Sequence, residues 1–294
     1  PAILITKNDA ALFEKYYAMG GAVVKVDVGG SLSQYQALQA MLLPSANNMA
    51  DTTAIWAFGS MDNYVKYAND MVKRMGMQDT VVATDASGMS PDTKSTPRDL
   101  IRLGEYALSH PVVAEIVAQK AATIPMHGPI SSANARLGYD NIIGIKTGLT
   151  DEAGGCFLFA SEQQIEGQTV TIIGVIMGAK NLGAALSQSE PLLNSAKPYF
   201  GRKTVIKAGE VFANYTTPWG VTAEVVAQKD VTLMTWKGTT LTPEIQLSKL
   251  SRSLPAGTQV GTGMVASGTN TATTPLVLKE PITGPTWQWR LTRL

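Results

Sequence analysis

Ile142-Ile143-Gly144-Ile145-Lys146-Thr147-Gly148-Leu149-Thr150 is the stretch whose reading decides the fold. The β-branched residues up to Thr147 predict a strand, and two further apolar runs follow, Gly155 to Ser161 and Thr169 to Gly178. Gly, Asp and Glu166-Gly167 bound these runs, so the three read as antiparallel strands joined by short turns. Cys156-Phe157-Leu158-Phe159 and Ile172 to Met177 are continuously apolar rather than alternating, the pattern of strands covered on both faces.

Upstream, the apolar spacing turns helical. Gln34 to Leu43 are good helix formers with Leu38, Met41 and Leu42 on one face. Pro44 interrupts them, and the polar Ser45-Ala46-Asn47-Asn48 precedes a second apolar run from Met49 to Phe58, which predicts a helix–loop–helix. In a third helix Ser60 suits the N-cap and Gly76 the C′ position, with Tyr64, Ala68, Met71, Val72 and Met75 expected in the core. Ser95-Thr96-Pro97-Arg98-Asp99 supplies a hydroxyl cap, a first-turn Pro and an early acid for a helix to about Ser109. Leu182 to Tyr199 reads as helix despite Pro191, and residues 1–33 as irregular or short-stranded, broken at Gly20-Gly21 and Gly29-Gly30.

From Gly201 the chain becomes rich in Thr and Gly, with short strand-like segments. A helix is expected only near Glu244–Leu250, and Trp287, Trp289 and Leu291, alternating with Gln288, Arg290 and Thr292, predict a final strand. The expected architecture is therefore α+β: residues 1–200 as an antiparallel sheet packed by helices, and 201–294 as a small β-sandwich.

The net charge of +1 over 294 residues lacks the basic excess that phosphate binding demands, which argues against nucleic acid as a partner. One Cys excludes an intramolecular disulfide framework, and two His beside Pro111 and Gly128 offer no ligand cluster, so neither metal nor cofactor is expected. No apolar run reaches the ~18–20 residues of a membrane-spanning helix.

Chemistry is concentrated in short motifs. Lys146-Thr147-Gly148 ends a strand, and Ser-x-Asn occurs twice, as Ser45-Ala46-Asn47 and Ser132-Ala133-Asn134. The first triplet lies in a helix–helix corner well upstream of Lys146. A serine there also has an ordinary structural use as N-cap of the next helix.

In this order the motifs resemble those of the low-molecular-mass penicillin-binding proteins, the serine-type D-alanyl-D-alanine carboxypeptidases related to β-lactamases, whose signature is Ser-x-x-Lys, Ser-x-Asn and Lys-Thr-Gly. Leu42 to Ala50, Thr84-Asp85-Ala86-Ser87-Gly88-Met89, Ser95 to Leu100 and Gly144 to Gly154 are all similar to family segments. The trailing β domain also fits that family, whereas class A β-lactamases lack one and carry Asp where Ala46 stands. One departure is large: no Ser-x-x-Lys occurs in the 294 residues. The chain is therefore expected to begin downstream of the nucleophile helix, a DD-peptidase-like domain truncated at its N-terminus.

The resemblance implies catalytic roles for Ser45, Asn47 and Lys146, with Lys146, Thr147 and Gly148 binding substrate. Ser45 would relay a proton to the leaving nitrogen and Asn47 would hold the substrate backbone. Lys146 and Thr147 would take the terminal carboxylate, while Gly148 admits the peptide to the strand edge. It also implies an extracytoplasmic protein acting on the D-Ala–D-Ala terminus of peptidoglycan stem peptides and binding β-lactam antibiotics. A non-cleaving peptidoglycan-peptide binder is the alternative, and a class A β-lactamase the weaker one. For the Trp287–Arg290 stretch the second reading is the border of a peripheral membrane anchor lying beyond Leu294.

Overall fold

A computed structural model describes residues 1–249, 253–268 and 270–291. The chain divides into two compact units, Pro1–Gln164 with Thr169–Ser195, and Ile165–Gln168 with Ala196–Leu294.

In the first unit, strand β1 (Ala2–Leu4) pairs antiparallel with β2 (Ser31–Ser33). Between them lies helix α1 (Lys7–Ala18), in the region expected to be irregular. Its start is a capping box in which Asp9 Oδ2 accepts from both the N–H and the hydroxyl of Thr6, at 2.8 and 2.6 Å. Asp in place of the usual Glu or Gln hides that signal in the sequence.

Helices α2 (Gln34–Leu42) and α3 (Asn47–Phe58) flank the corner at Ser45. Helix α4 (Met61–Arg74) is capped by Ser60, with Gly76 in the left-handed region just past its end. Its apolar face is less enclosed than expected. Val72 alone among the five anticipated core positions is buried; Tyr64, Ala68, Met71 and Met75 stay half-exposed along an apolar groove. Helix α5 (Pro97–Leu108) begins at a Thr96 cap with Pro in the first turn, and a short α6 (Pro111–Val117) follows His110.

The hairpin β3 (Ala121–Ile124) and β4 (Gly128–Ser131) leads to the main sheet, β5 (Ile142–Thr150), β6 (Gly154–Ile165) and β7 (Gln168–Ala179), in the order β5-β6-β7. Lys146 stands opposite Leu158, Thr147 opposite Phe157 and Gly148 opposite Cys156. Helix α7 (Leu182–Ala196) closes the unit and tolerates Pro191.

Two apolar clusters hold the frame. Ile3, Ile5, Val24, Leu32, Leu43, Met49, Ile116 and Ile130 bind the N-terminal strands to α2 and α3. Val117, Ile145, Leu158 and Ala160 fasten the sheet to α6, with Leu108 and Val113 packed against them. Strand β6 is buried on both faces from Phe157 to Ser161, as its unbroken run required, whereas β7 alternates, with Ile172 and Ile176 buried, Ile173 and Val175 half-buried and Met177 exposed.

The second unit contains β8 (Phe200–Ile206), β9 (Val211–Thr216), β10 (Thr222–Ala227), β11 (Val231–Trp236), β12 (Glu244–Leu247), β13 (Gln259–Ser267) and β14 (Asn270–Leu278). They form a five-stranded sheet, β12-β13-β14-β10-β9, and the pair β11-β8, around Ile206, Val225, Leu233, Leu276 and Leu278.

Two expectations fail here. Glu244–Leu247 is a strand paired with β13, because edge pairing with Gly261 to Met264 outweighs its weak helical character; Leu250 lies outside the described residues. Trp287–Leu291 is a short helix, α8, not a strand. The Thr286 hydroxyl accepts from Trp289 N–H at 3.3 Å, and Trp289 packs edge-on against Trp219, so one-sided anchoring replaces the alternation. Thr292 lies outside the described residues. No described helix is long and apolar enough to cross a membrane.

Candidate active site

Ser45 sits in the corner between α2 and α3 with φ of 64°, in the left-handed region. That conformation costs an L-residue roughly 1–2 kcal/mol. It is held from both sides: Ala46 N–H donates to Ala40 O at 3.3 Å, and Asn47 N–H to Ala22 O at 2.7 Å. The serine is not a cap. Ala46 occupies that position without a side-chain bond, and the Ser45 hydroxyl instead accepts from Lys146 Nζ at 2.5 Å.

Lys146 lies on β5, the outer strand of its sheet, and its ammonium also donates to Thr147 O at 2.9 Å. No carboxylate among the described residues lies within ion-pair distance of it. Burial pushes its pKa down to about 8. At neutral pH it remains mostly protonated, a cation without a counter-charge and therefore a site for an anion.

A pocket of about 480 Å³ opens around this pair. One wall is the β5 edge from Lys146 to Thr150; facing residues come from Gly20–Ala22, from Asn47, from the Ser87–Met89 loop and from Ala133. The Asn47 side chain is buried, and no hydrogen bond from the described residues engages its amide. A Cβ on Gly21 would come 2.7 Å from Asn47 Oδ1 and 3.2 Å from Tyr16 O, so a side chain there would displace the Asn47 amide. Asn48 has a structural task. Fully buried, it accepts from Val24 N–H at 3.0 Å and donates to Val24 O at 2.9 Å, so its amide serves as a strand partner for the Gly20–Val26 segment.

The Ser87–Met89 wall is fixed by two buried acids that the sequence reading did not single out. Asp85 accepts from the Ser87 hydroxyl at 2.7 Å and from the N–H groups of Gly88, Met89 and Ser90 at 2.7, 3.2 and 2.9 Å. Asp51, on α3, accepts from Ala86 N–H at 2.9 Å and from the Tyr16 hydroxyl at 2.6 Å. Burial raises the Asp51 carboxyl above its usual range despite these bonds, and burial with the Asp51 contact pushes the Tyr16 hydroxyl far up. The available signal was Asp85-Ala86-Ser87-Gly88, an Asx-turn pattern. The Tyr16–Asp51 pair had none, since its members stand on different helices.

The second triplet lies elsewhere. Ala133 lines the same pocket and its N–H donates to Leu43 O at 2.8 Å, but Ser132 and Asn134 line a neighbouring cavity. Arg136 is bound to Asp140 and, at 3.3 Å, to Glu190.

Residues 6–181 match the family model described as D-alanyl-D-alanine carboxypeptidase. The chain belongs to this family. Among characterised relatives, D-alanyl-D-alanine carboxypeptidase DacC of Escherichia coli is 28% identical over 209 residues, covering 70% of this chain and 51% of the relative. DacA of Escherichia coli is 29% identical over 237 residues, covering 79% and 57%. The chain thus spans about half the length of the curated relatives it matches. In fold it is similar to the peptidoglycan synthesis regulatory factor PBP3 of Streptococcus pneumoniae, with TM-score 0.67, 20% identity and coverage of 96% of this chain and 85% of that one. The α+β fold is shared over nearly the whole chain, the β domain included.

Proposed function

We propose that this chain supplies the substrate-holding and proton-relaying side of a serine-type D-Ala–D-Ala carboxypeptidase acting on peptidoglycan stem peptides outside the cytoplasm. The hydrogen bond between Lys146 Nζ and Ser45 Oγ carries the reading. Lys146 and Thr147 take the terminal carboxylate of the peptide. The outer edge of β5 pairs with its backbone as an added strand, and Gly148 presents no side chain against it. Asn47 donates its amide to the backbone of the penultimate residue.

The Ser45 hydroxyl can accept and donate at once, and Lys146 holds one of its lone pairs, which leaves the O–H proton for the departing amine. Acylation itself needs a nucleophilic serine and its base. With no Ser-x-x-Lys in these residues, the chain alone binds peptide and β-lactam without forming an ester. The same absence favours the second reading, a peptidoglycan-peptide binder that does not cleave. Class A β-lactamase activity is disfavoured by Ala46 and the β domain.

A fluorescent penicillin tests this. The 294-residue chain is expected to show reversible binding only, and to become covalently labelled once joined to a family segment carrying Ser-x-x-Lys. Covalent labelling of the chain alone overturns the assignment of roles, and failure to label after joining favours the non-cleaving binder.

A further inference from the structure

The two acids behind the Ser87–Met89 wall have different reach. The four bonds of Asp85 stay inside its own loop and give it its shape. Asp51 places that loop against the helices: Oδ1 accepts from Ala86 N–H at 2.9 Å and Oδ2 from the Tyr16 hydroxyl at 2.6 Å. Asp51 is 2% and Tyr16 1% exposed, and neither lines the cleft. Asp51 stands four residues after Asn47 on α3, so the two share a helix face. Tyr16 reaches both walls. Its hydroxyl binds Asp51 and interacts with the Ser87 hydroxyl, while its carbonyl accepts from Gly21 N–H at 2.9 Å in the lip that follows α1. One pair of side chains thus joins the Gly20–Ala22 lip to the Ser87–Met89 loop, and both line the cleft opposite β5.

A buried carboxylate that forms no ion pair among the described residues is a costly way to hold two helices together, and an apolar pair would serve stability as well. What an apolar pair cannot do is aim the Ala86 N–H. We propose that the Tyr16–Asp51 hydrogen bond holds the lip and the loop at one separation across from β5, which makes Tyr16 and Asp51 positioning residues for peptide binding. The inference rests on the assignment of the Ser45–Lys146 cleft as the peptide site. The tie requires the ionised carboxylate. A protonated oxygen is a poor acceptor, so a proton on Oδ1 weakens the hold on Ala86 N–H and one on Oδ2 reverses the bond with Tyr16. The groups facing Asp51 are Tyr16 and Lys15 from α1, Tyr64 from α4 and Asp85 from the loop; burial holds the carboxyl above its usual range despite its hydrogen bonds. Peptide affinity is therefore kept above the Asp51 pKa and lost as the pH falls through it, while the Lys146 ammonium sets the limit on the alkaline side.

The experiment titrates the 294-residue chain by calorimetry with acetyl-Ala-D-Ala-D-Ala between about pH 4.5 and 7.5, a window above the ~3.3–3.7 at which the peptide's own carboxylate titrates. The parent is expected to lose affinity towards the acid end. Tyr16→Phe keeps the ring and removes the donor. It should weaken binding ~3–10-fold at neutral pH and move the acid limb to higher pH, because the carboxylate loses a bond that favours its charge. Asp51→Asn is isosteric with the neutral acid and should hold the parent's low-pH affinity across the window. Hydrogen exchange at the Ala86 amide should quicken in Tyr16→Phe, although the bond removed is not its own.

A parent profile that stays flat to the acid end, a Tyr16→Phe chain that binds with the parent's affinity and limb, or an acid limb that survives in Asp51→Asn overturns the tie while leaving the cleft assignment standing. A parent chain that binds no peptide at any pH overturns the cleft assignment and the tie with it.

Discussion

The same three residues, Ser-Ala-Asn, occur at 45–47 and 132–134 and are used in opposite ways. At the first, the hydroxyl reaches across to another element, 2.5 Å from Lys146 on the sheet, and the backbone is forced into a left-handed turn to aim it. At the second, both side chains spend their acceptors locally: Ser132 takes the N–H of Asn134, and Asn134 that of Arg136. The first triplet is an outward-directed pair of polar groups kept at the expense of backbone comfort. The second is turn chemistry of the kind Ser and Asn supply almost anywhere. What separates them is the partner of each hydroxyl, Lys146 on the sheet for Ser45 and its own turn for Ser132, not the motif.

The contrast can be broken in stages. In a chain joined to a Ser-x-x-Lys segment, Ser45→Ala should slow penicillin acylation by ~10²–10⁴-fold, the range of a lost proton relay. Ser132→Ala should stay within about twofold of the parent in the same stopped-flow assay, as expected for a surface-turn substitution. Equal effects would dissolve the distinction.

Lys146→Met keeps the volume of the half-buried side chain and removes its charge. It should weaken a neutral-bodied D-Ala–D-Ala peptide by ~100-fold by calorimetry, since a desolvated charge partner is worth about 2–5 kcal/mol.

The depressed pKa of Lys146, about 8, gives this contribution a pH limit. The ammonium is present below that value and lost above it, so peptide affinity should hold at pH 7 and fall roughly tenfold by pH 9. A flat profile over that range would mean that Lys146 does not take the carboxylate.

Asn134→Ala removes the acceptor for Arg136 N–H in a buried turn and should cost about 1 kcal/mol in urea unfolding, with binding of the neutral-bodied peptide unchanged. Ser45→Gly should do the reverse. By relieving the left-handed strain it should stabilise by up to ~1 kcal/mol while abolishing the relay.

Much of the frame was legible because it rests on local rules. The strands β5 to β7 announce themselves by apolar runs between turn residues, α2 by its helix formers and apolar face, and α3 to α5 by the break at Pro44 and the caps at Ser60 and Thr96. The proximity of Ser45 to Lys146 could be anticipated only through the family resemblance, since no periodicity links a helical corner to a strand so far along the chain.

What stayed hidden depends on distant partners. α1 carries an atypical Asp capping box. The Trp287–Leu291 alternation mimics a strand until Trp219 is seen against one side of it. The anchoring of the cleft wall by Asp51 and Asp85 needs Tyr16, Ala86 and the loop amides to be placed first.

Asn48 shows what such a distant partner does for the cleft. Its side chain substitutes for a neighbouring strand along a segment that has none, so the glycine lip at 20–22 and the first turn of α3 are one rigid casting rather than two parts that meet. Breathing of that lip cannot occur without tugging on Ser45 itself. An Ala at position 48 would therefore turn a fixed jaw into a hinged one, and the loss would register first as slower, looser capture of the peptide, before any change in where the chemistry is aimed.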